Sequence, residues 1–241
     1  WIGKLIKKYA FISVFPEIFV PFSQSGILKK ATDSGLIQIK SFNPRDFLDN
    51  KDRIDDKVYG GGPGMVFKSE PIRKCINYAK DNFSGSSKVI HLSASGETLT
   101  AEIARDLSKE DSLILLSSRY EGLDQRVIDT DVDLEISIGD YVLTGGEIPS
   151  MVLLETIIRF IDGVVGDEES VKNDSFEDSL LEHPQYTRPE KNKIGKVPEV
   201  LLSGNHDQIK KWKRKHSLGK TFLKRPDLLK LHELNEQDTE Q

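Results

Sequence analysis

The chain has 241 residues, 37% hydrophobic and 30% charged, with a net charge of −5. That mixture fits a globular protein of one large domain, or of a medium and a small one, able to bury a substantial core. A single cysteine, Cys75, excludes an internal disulfide and a cysteine-rich metal centre, and the five histidines lack zinc-ligand spacing, so no structural metal is expected.

In chain order, Lys4, Lys7 and Lys8 precede an apolar run from Ala10 to Phe15 that Pro16 and Glu17 end. The run is short and no small-residue cleavage site follows, so it reads as a buried first strand at 11–15 rather than a signal peptide. No apolar run approaches the roughly 20 residues of a membrane-spanning helix. The expectation is a cytoplasmic protein with no membrane partner. Further buried strands are predicted at 88–92, 112–117 and 134–138, and helices at 70–81, 100–107 and 147–161. Thr100 is placed to cap one helix, and Ser69, ahead of Pro71, to cap another. Strand–helix alternation predicts an α/β domain with a largely parallel sheet.

The composition changes after Gly166. Residues 167–179 are acidic, small and polar, which predicts a mobile linker or lid. Helices at 209–216 and 226–234 then form a small basic domain. The expected division is 1–166, a linker at 167–180, and 181–241. Between His183 and Lys230 stand 13 Lys/Arg against 4 Asp/Glu, a net of +9, which leaves 21 against 35, or −14, elsewhere. Such asymmetry points to a polyanion-binding part joined to an acidic body. Arg188, Lys210, Lys211, Lys213, Arg214, Lys215, Lys220, Lys224 and Arg225 are the candidate phosphate contacts, with Trp212 and Phe222 read as core.

Four loops carry glycine. They are Tyr59-Gly60-Gly61-Gly62-Pro63-Gly64-Met65, Ser93-Ala94-Ser95-Gly96, Ser118-Arg119-Tyr120-Glu121-Gly122 and Ile138-Gly139-Asp140-Tyr141-Val142-Leu143-Thr144-Gly145-Gly146-Glu147. Three follow predicted strands, where α/β sheets bind ligands. No loop has the Lys-Ser/Thr of a P-loop, and no G-x-G-x-x-G follows a strand. A nucleotide-phosphate enzyme therefore fits the glycines and lacks the required lysine.

Tyr59 to Met65, Ser118 to Gly122, Ile138 to Glu147, Leu181 to Pro189 and Leu201 to Trp212 together resemble the bacterial TrmD family, the tRNA (guanine-N1)-methyltransferases of the SPOUT superfamily. The resemblance runs in order along nearly the whole chain. It implies an α/β domain tied in a deep trefoil knot, followed by a small, mainly helical C-terminal domain. It also implies S-adenosylmethionine as methyl donor, tRNA as substrate, and a homodimer with active sites shared between subunits. The target would be N1 of the guanosine immediately 3′ of the anticodon (guanosine-37). Two departures stand out: His91-Leu92-Ser93-Ala94-Ser95-Gly96 where the family often has Tyr-Leu-Ser-Pro-Gln-Gly, and Ser118 where it often has glycine.

Guanine N1 carries a hydrogen, so its methylation needs a base for that proton and a positive group for the charge that develops on O6. The resemblance matches the base to Asp174 and the cation to Arg159. It places Glu121 near the donor's amino group or at a magnesium ion. The donor would rest on Ile138, Gly139, Asp140, Tyr141, Val142, Leu143, Gly145 and Gly146, with Leu92, Gly96 and Ser118 beside them. A relative that methylates another RNA site, and a non-catalytic RNA-binding protein, are the rival readings; Asp174 and Arg159 together favour the guanine enzyme.

Overall fold

The computed structural model describes residues 6–49, 52–83, 86–165, 175–176 and 180–230. The chain divides into two compact units, Trp1–Gly166 and Asp167–Gln241.

The first unit is built on a five-stranded sheet. Its strands are β1 (Lys7–Ile12), β2 (Ile37–Phe42), β5 (Lys88–Thr98), β6 (Ser112–Ser117) and β7 (Leu134–Ser137), with β3 (Asp55–Lys57) and β4 (Met65–Phe67) forming a separate antiparallel pair. The order is β2-β1-β6-β5-β7 and every pairing is parallel. Central β6 is buried at all six positions, as the run Ser-Leu-Ile-Leu-Leu-Ser demands of a strand covered on both faces. Alternate side chains then feed two cores. Tyr9, Phe11, Leu113 and Leu115 meet α2 (Gly26–Asp33), α4 (Ala101–Ser108) and α6 (Glu147–Ile158). Ala10, Ile12, Ile114 and Leu116 meet α3 (Ser69–Asp81) and α5 (Gln125–Asp131). Cys75 of α3 lies in the second core, where burial pushes its thiol up to about 12, with the Asp46 charge adding.

The helices expected at 70–81, 100–107 and 147–161 stand within one to three residues of those bounds, whereas the one expected at 209–216 runs over His206–Lys224 and those at Gly26–Asp33 and Gln125–Asp131 were not expected; Thr100 caps α4 by accepting from Ile103 N at 3.2 Å. Two local expectations change. The first strand lies at Lys7–Ile12 rather than 11–15, because Pro16 draws Val14 and Phe15 out of the sheet into a 3-10 turn, Pro16–Ile18. Lys7 is tolerated at its start because Nζ reaches the carbonyls of Lys109 and Glu110 at 2.8 and 2.9 Å. Ser69 is not a cap: Lys68 holds that position and makes no side-chain cap bond, so the helix starts one residue early.

In the second unit, a two-residue ladder of β8 (Lys191–Asn192) and β9 (Gly195–Lys196) precedes α7 (Glu199–Leu202), α8 (His206–Lys224) and α9 (Pro226–Leu229). Asn205 caps α8 through Gln208 N, and Pro226 stops it from continuing. Thr221, fully buried, accepts from Leu181 N at 2.9 Å. Trp212 is half-buried among rings, 4.0 Å from His216 and 6.3 Å from both His183 and Tyr186. Phe222, read as core, is 66% exposed; one residue on from Thr221, it is turned about 100° round the helix from that packed position. Among the described residues, no helix is long and apolar enough to cross a membrane.

Candidate active site

The buckled middle of β5 and the carboxyl ends of β6 and β7 open onto a cleft of about 440 Å³. Its walls are His91 to Ser95, expected from the sequence as a strand end and loop but lying within β5, the loops that follow β6 and β7, Gln125 and Ile128 of α5, and the start of α6 at Pro149. The cleft is large enough for a small-molecule ligand and sits where parallel sheets hold them. The structure brings together on these walls Leu92, Ser118, Glu121, Ile138, Gly139, Tyr141, Val142, Leu143, Gly145 and Gly146.

Gly96 and Asp140 do not line the cleft. Gly96 instead permits a close backbone crossing, since a Cβ there would stand 2.5 Å from the carbonyl carbon of Glu135. Strand β5 buckles at this point, so that Leu92 and Glu97 both face Ile136 of β7. Only glycine allows the two backbones to approach so closely. Gly146 lines the cleft, yet its missing side chain makes room for protein, since a Cβ would meet Ser117 Cα at 2.8 Å. Gly146 N donates to Ser118 O at 2.9 Å, which pins the third loop to the end of β6.

Arg159 is the C-cap of α6, whereas Gly145, Gly146 and Pro149 at its other end border the cleft. A helix of 12 residues is about 18 Å long, beyond the reach of an arginine side chain. Its neighbours agree with this: Phe160 and Asp162 share a groove with Lys7 and Lys109, at the amino ends of the strands. Asp174 lies outside the described residues.

The loop after β6 is laced to β4, with Glu121 N donating to Met65 O and Phe67 N to Gly122 O, both at 3.0 Å. Tyr120 within it has φ +59°, the left-handed region that side chains disfavour. Such strain persists where the surroundings fix it. Among the described residues, Glu121 and Glu135 are the acidic ones on the cleft walls, and neither Lys nor Arg lines it. This electrostatic pattern opposes a phosphate and suits a cation. Among the described residues no group of three or more His, Cys, Asp or Glu stands together as a metal centre.

Several polar residues of the site escaped the sequence reading of roles. His91 is buried on β5 beside Glu135 and Ser118. Glu147, 2% exposed, accepts from Ser13 Oγ at 2.6 Å and from Arg119 Nε at 3.2 Å. Their signals were present: a histidine within Val89-Ile90-His91-Leu92, and a carboxylate opening an apolar helix.

The family described as tRNA (Guanine-1)-methyltransferase TrmD matches residues 7–231. A protein of Dictyoglomus turgidum named tRNA (guanine-N(1)-)-methyltransferase is 52% identical over 231 residues, 95% of this chain and 92% of that protein. Proteins of the same name from Aeromonas hydrophila and Shewanella sediminis are 48% and 47% identical, each over 95% of this chain and over 90% and 95% of their own length.

Proposed function

The chain belongs to the tRNA (Guanine-1)-methyltransferase TrmD family, and from that premise we propose that it methylates N1 of the guanosine immediately 3′ of the anticodon in tRNA, guanosine-37. As a member it is an S-adenosylmethionine-dependent tRNA (guanine-N1)-methyltransferase. The observation that carries the donor site is the cleft at the buckle of β5 and the ends of β6 and β7. Its size, its apolar walls at Leu123, Ile128 and Ile136, and its carboxylates without cations fit a donor with a flat base and a positive charge. Bound there, S-adenosylmethionine would supply an electrophilic methyl group. Leu92, Ser118 and the 138–146 loop are the residues that hold it, and the tight crossings at Gly96 and Gly146 support a knotted path of the chain.

The chain's own residues activate guanine. Asp174 takes the N1 proton, and Arg159 donates to O6 as negative charge grows there. Glu121 faces the cleft and orients a donor amino group; it is also the carboxylate that would hold a magnesium ion there. The distance from Arg159 to the cleft supports a homodimer in which each donor cleft works with Arg159 of the other copy. Exposed Ile148 and Val152 lie on the same α6 stripe as Arg159, apolar side chains suited to such a partner. The basic second unit grips the tRNA backbone, and this substrate favours the cytoplasm as the place of action.

The test is incubation with labelled S-adenosylmethionine and two transcripts of one tRNA, with guanosine or adenosine immediately 3′ of the anticodon. Label in the first alone, mapped to guanine N1, supports the proposal. Label in both, or elsewhere, keeps a methyltransferase and discards the site. Binding of tRNA without label favours the non-catalytic rival.

A further inference from the structure

His91 lies on β5 at 3% exposure, between polar groups of two neighbouring strands. Its Nδ1 is 2.9 Å from Glu135 Oε1 on β7, and its Nε2 is 2.8 Å from Ser118 Oγ at the end of β6. All three residues line the cleft. A carboxylate only accepts, so Nδ1 carries the proton. In the neutral ring Nε2 is then an acceptor, and the Ser118 hydroxyl must donate to it. The Ser118 oxygen is left with lone pairs alone to offer the cleft.

We propose that His91 is a positioning residue for the methyl donor, holding Ser118 Oγ as an acceptor for an ammonium or hydroxyl group of bound S-adenosylmethionine. The inference rests on the donor-site reading above. Protonation of His91 reverses the polarity: Nε2 donates to Ser118, whose own proton turns toward the cleft and meets a ligand group that is itself a donor. Glu135 is the charged group in contact with the ring. Glu121, Tyr120 and Tyr141 are the other titratable side chains on the cleft, and α6 presents Pro149 there. Burial lowers the imidazole's pKa below its ordinary value, against the opposing pull of Glu135, so the acceptor arrangement holds at neutral pH.

Calorimetric titration of the full chain with S-adenosylmethionine tests this at about pH 7.5, above the ordinary histidine range, and at an acidic pH at which the His91 ring resonances show the imidazole charged in the folded, ligand-free protein. Wild-type affinity should fall about tenfold at the lower pH, the loss of one buried hydrogen bond. His91→Gln keeps a donor for Glu135 and an acceptor for Ser118 but cannot titrate, so its affinity stays within about twofold of wild type at the higher pH and does not change with pH. His91→Leu should be about tenfold weaker at both. Ser118→Ala, with His91 intact, should also lose the pH dependence. Equal weakening in the Gln and Leu variants, or a wild type indifferent to pH, overturns the proposal and leaves His91 as packing. A wild type that binds no S-adenosylmethionine at either pH overturns the donor site itself, and this inference with it.

Discussion

Glu147 Oε1 accepts from Ser13 Oγ at 2.6 Å, across 134 positions of the chain. The same oxygen accepts from Arg119 Nε at 3.2 Å, and the Arg119 guanidinium lies 4.5 Å from the centre of the Phe15 ring. One carboxylate at the positive end of α6 thereby gathers the exit of β1, the loop after β6 and the loop before α6. The last two are walls of the cleft.

Removing Arg119 tests this tie. Arg119→Ala leaves a buried carboxylate with a hydroxyl as its partner, and should lower stability by about 3 kcal/mol, the lower end for a broken buried pair because Arg119 is partly exposed. Urea unfolding measures it. The donor affinity of the folded variant should fall as well, since the 138–146 loop loses an anchor.

The reach of α6 makes a prediction about pairs of subunits. Arg159→Ala lacks the cation, and Gly146→Val forces a side chain onto Ser117, at about 1–3 kcal/mol of overpacking. Each should be inactive as a homodimer. Mixed and allowed to exchange, they should regain activity, because an intact cleft on one copy meets an intact Arg159 on the other. No recovery in a mixture with proven exchange would tie Arg159 to its own cleft.

Asp174→Ala should bind S-adenosylmethionine as wild type does and lose methylation by about 10²–10⁴-fold, the usual contribution of a general base. Single-turnover transfer to tRNA measures it. Near-normal turnover would remove Asp174 from the role.

His91 also links pH to stability. Its folded pKa lies below the ordinary 6.5, chiefly through burial. The unfolded chain therefore binds the proton more readily, and stability rises with pH through this window. The stabilising contribution is complete above about 6.5 and declines as pH falls toward the depressed value. Urea midpoints across that range should show the decline in the wild type and a smaller one in His91→Gln.

The second unit should bind tRNA in a salt-dependent manner. Lys210, Lys211, Lys213 and Lys215 crowd the first half of α8. Reversing Lys211 to Glu should weaken binding and flatten the plot of affinity against salt by about one counterion per lost phosphate contact. A slope equal to that of the wild type would remove Lys211 from the RNA surface.

The parallel sheet was legible because Leu113–Leu116 is apolar without interruption and because strand and helix periods alternate along the chain. Edge strand β2 was not, since Ile37-Gln38-Ile39-Lys40 alternates too briefly to separate from a loop. The glycine-bearing loops were read as places for a ligand, but at Gly96 and Gly146 what comes close is another stretch of backbone, and such crossings depend on threading that no local pattern records. Ser118, Glu121 and the 138–146 loop were found through motif likeness. The partners of His91 and Glu147 lie up to 44 and 134 positions away, beyond any spacing argument, and appear only when β1, β6, β5 and β7 lie side by side.

The single thiol has its own consequence. Cys75 is fully buried in α3, and its raised pKa keeps it protonated and unreactive in the folded chain. An alkylating reagent reaches it only when α3 lifts from the sheet. The chain thus carries a built-in clock: the rate of labelling, read with no engineered probe, reports how often the second core opens, and its slowing on ligand binding measures how far the ligand holds that core shut.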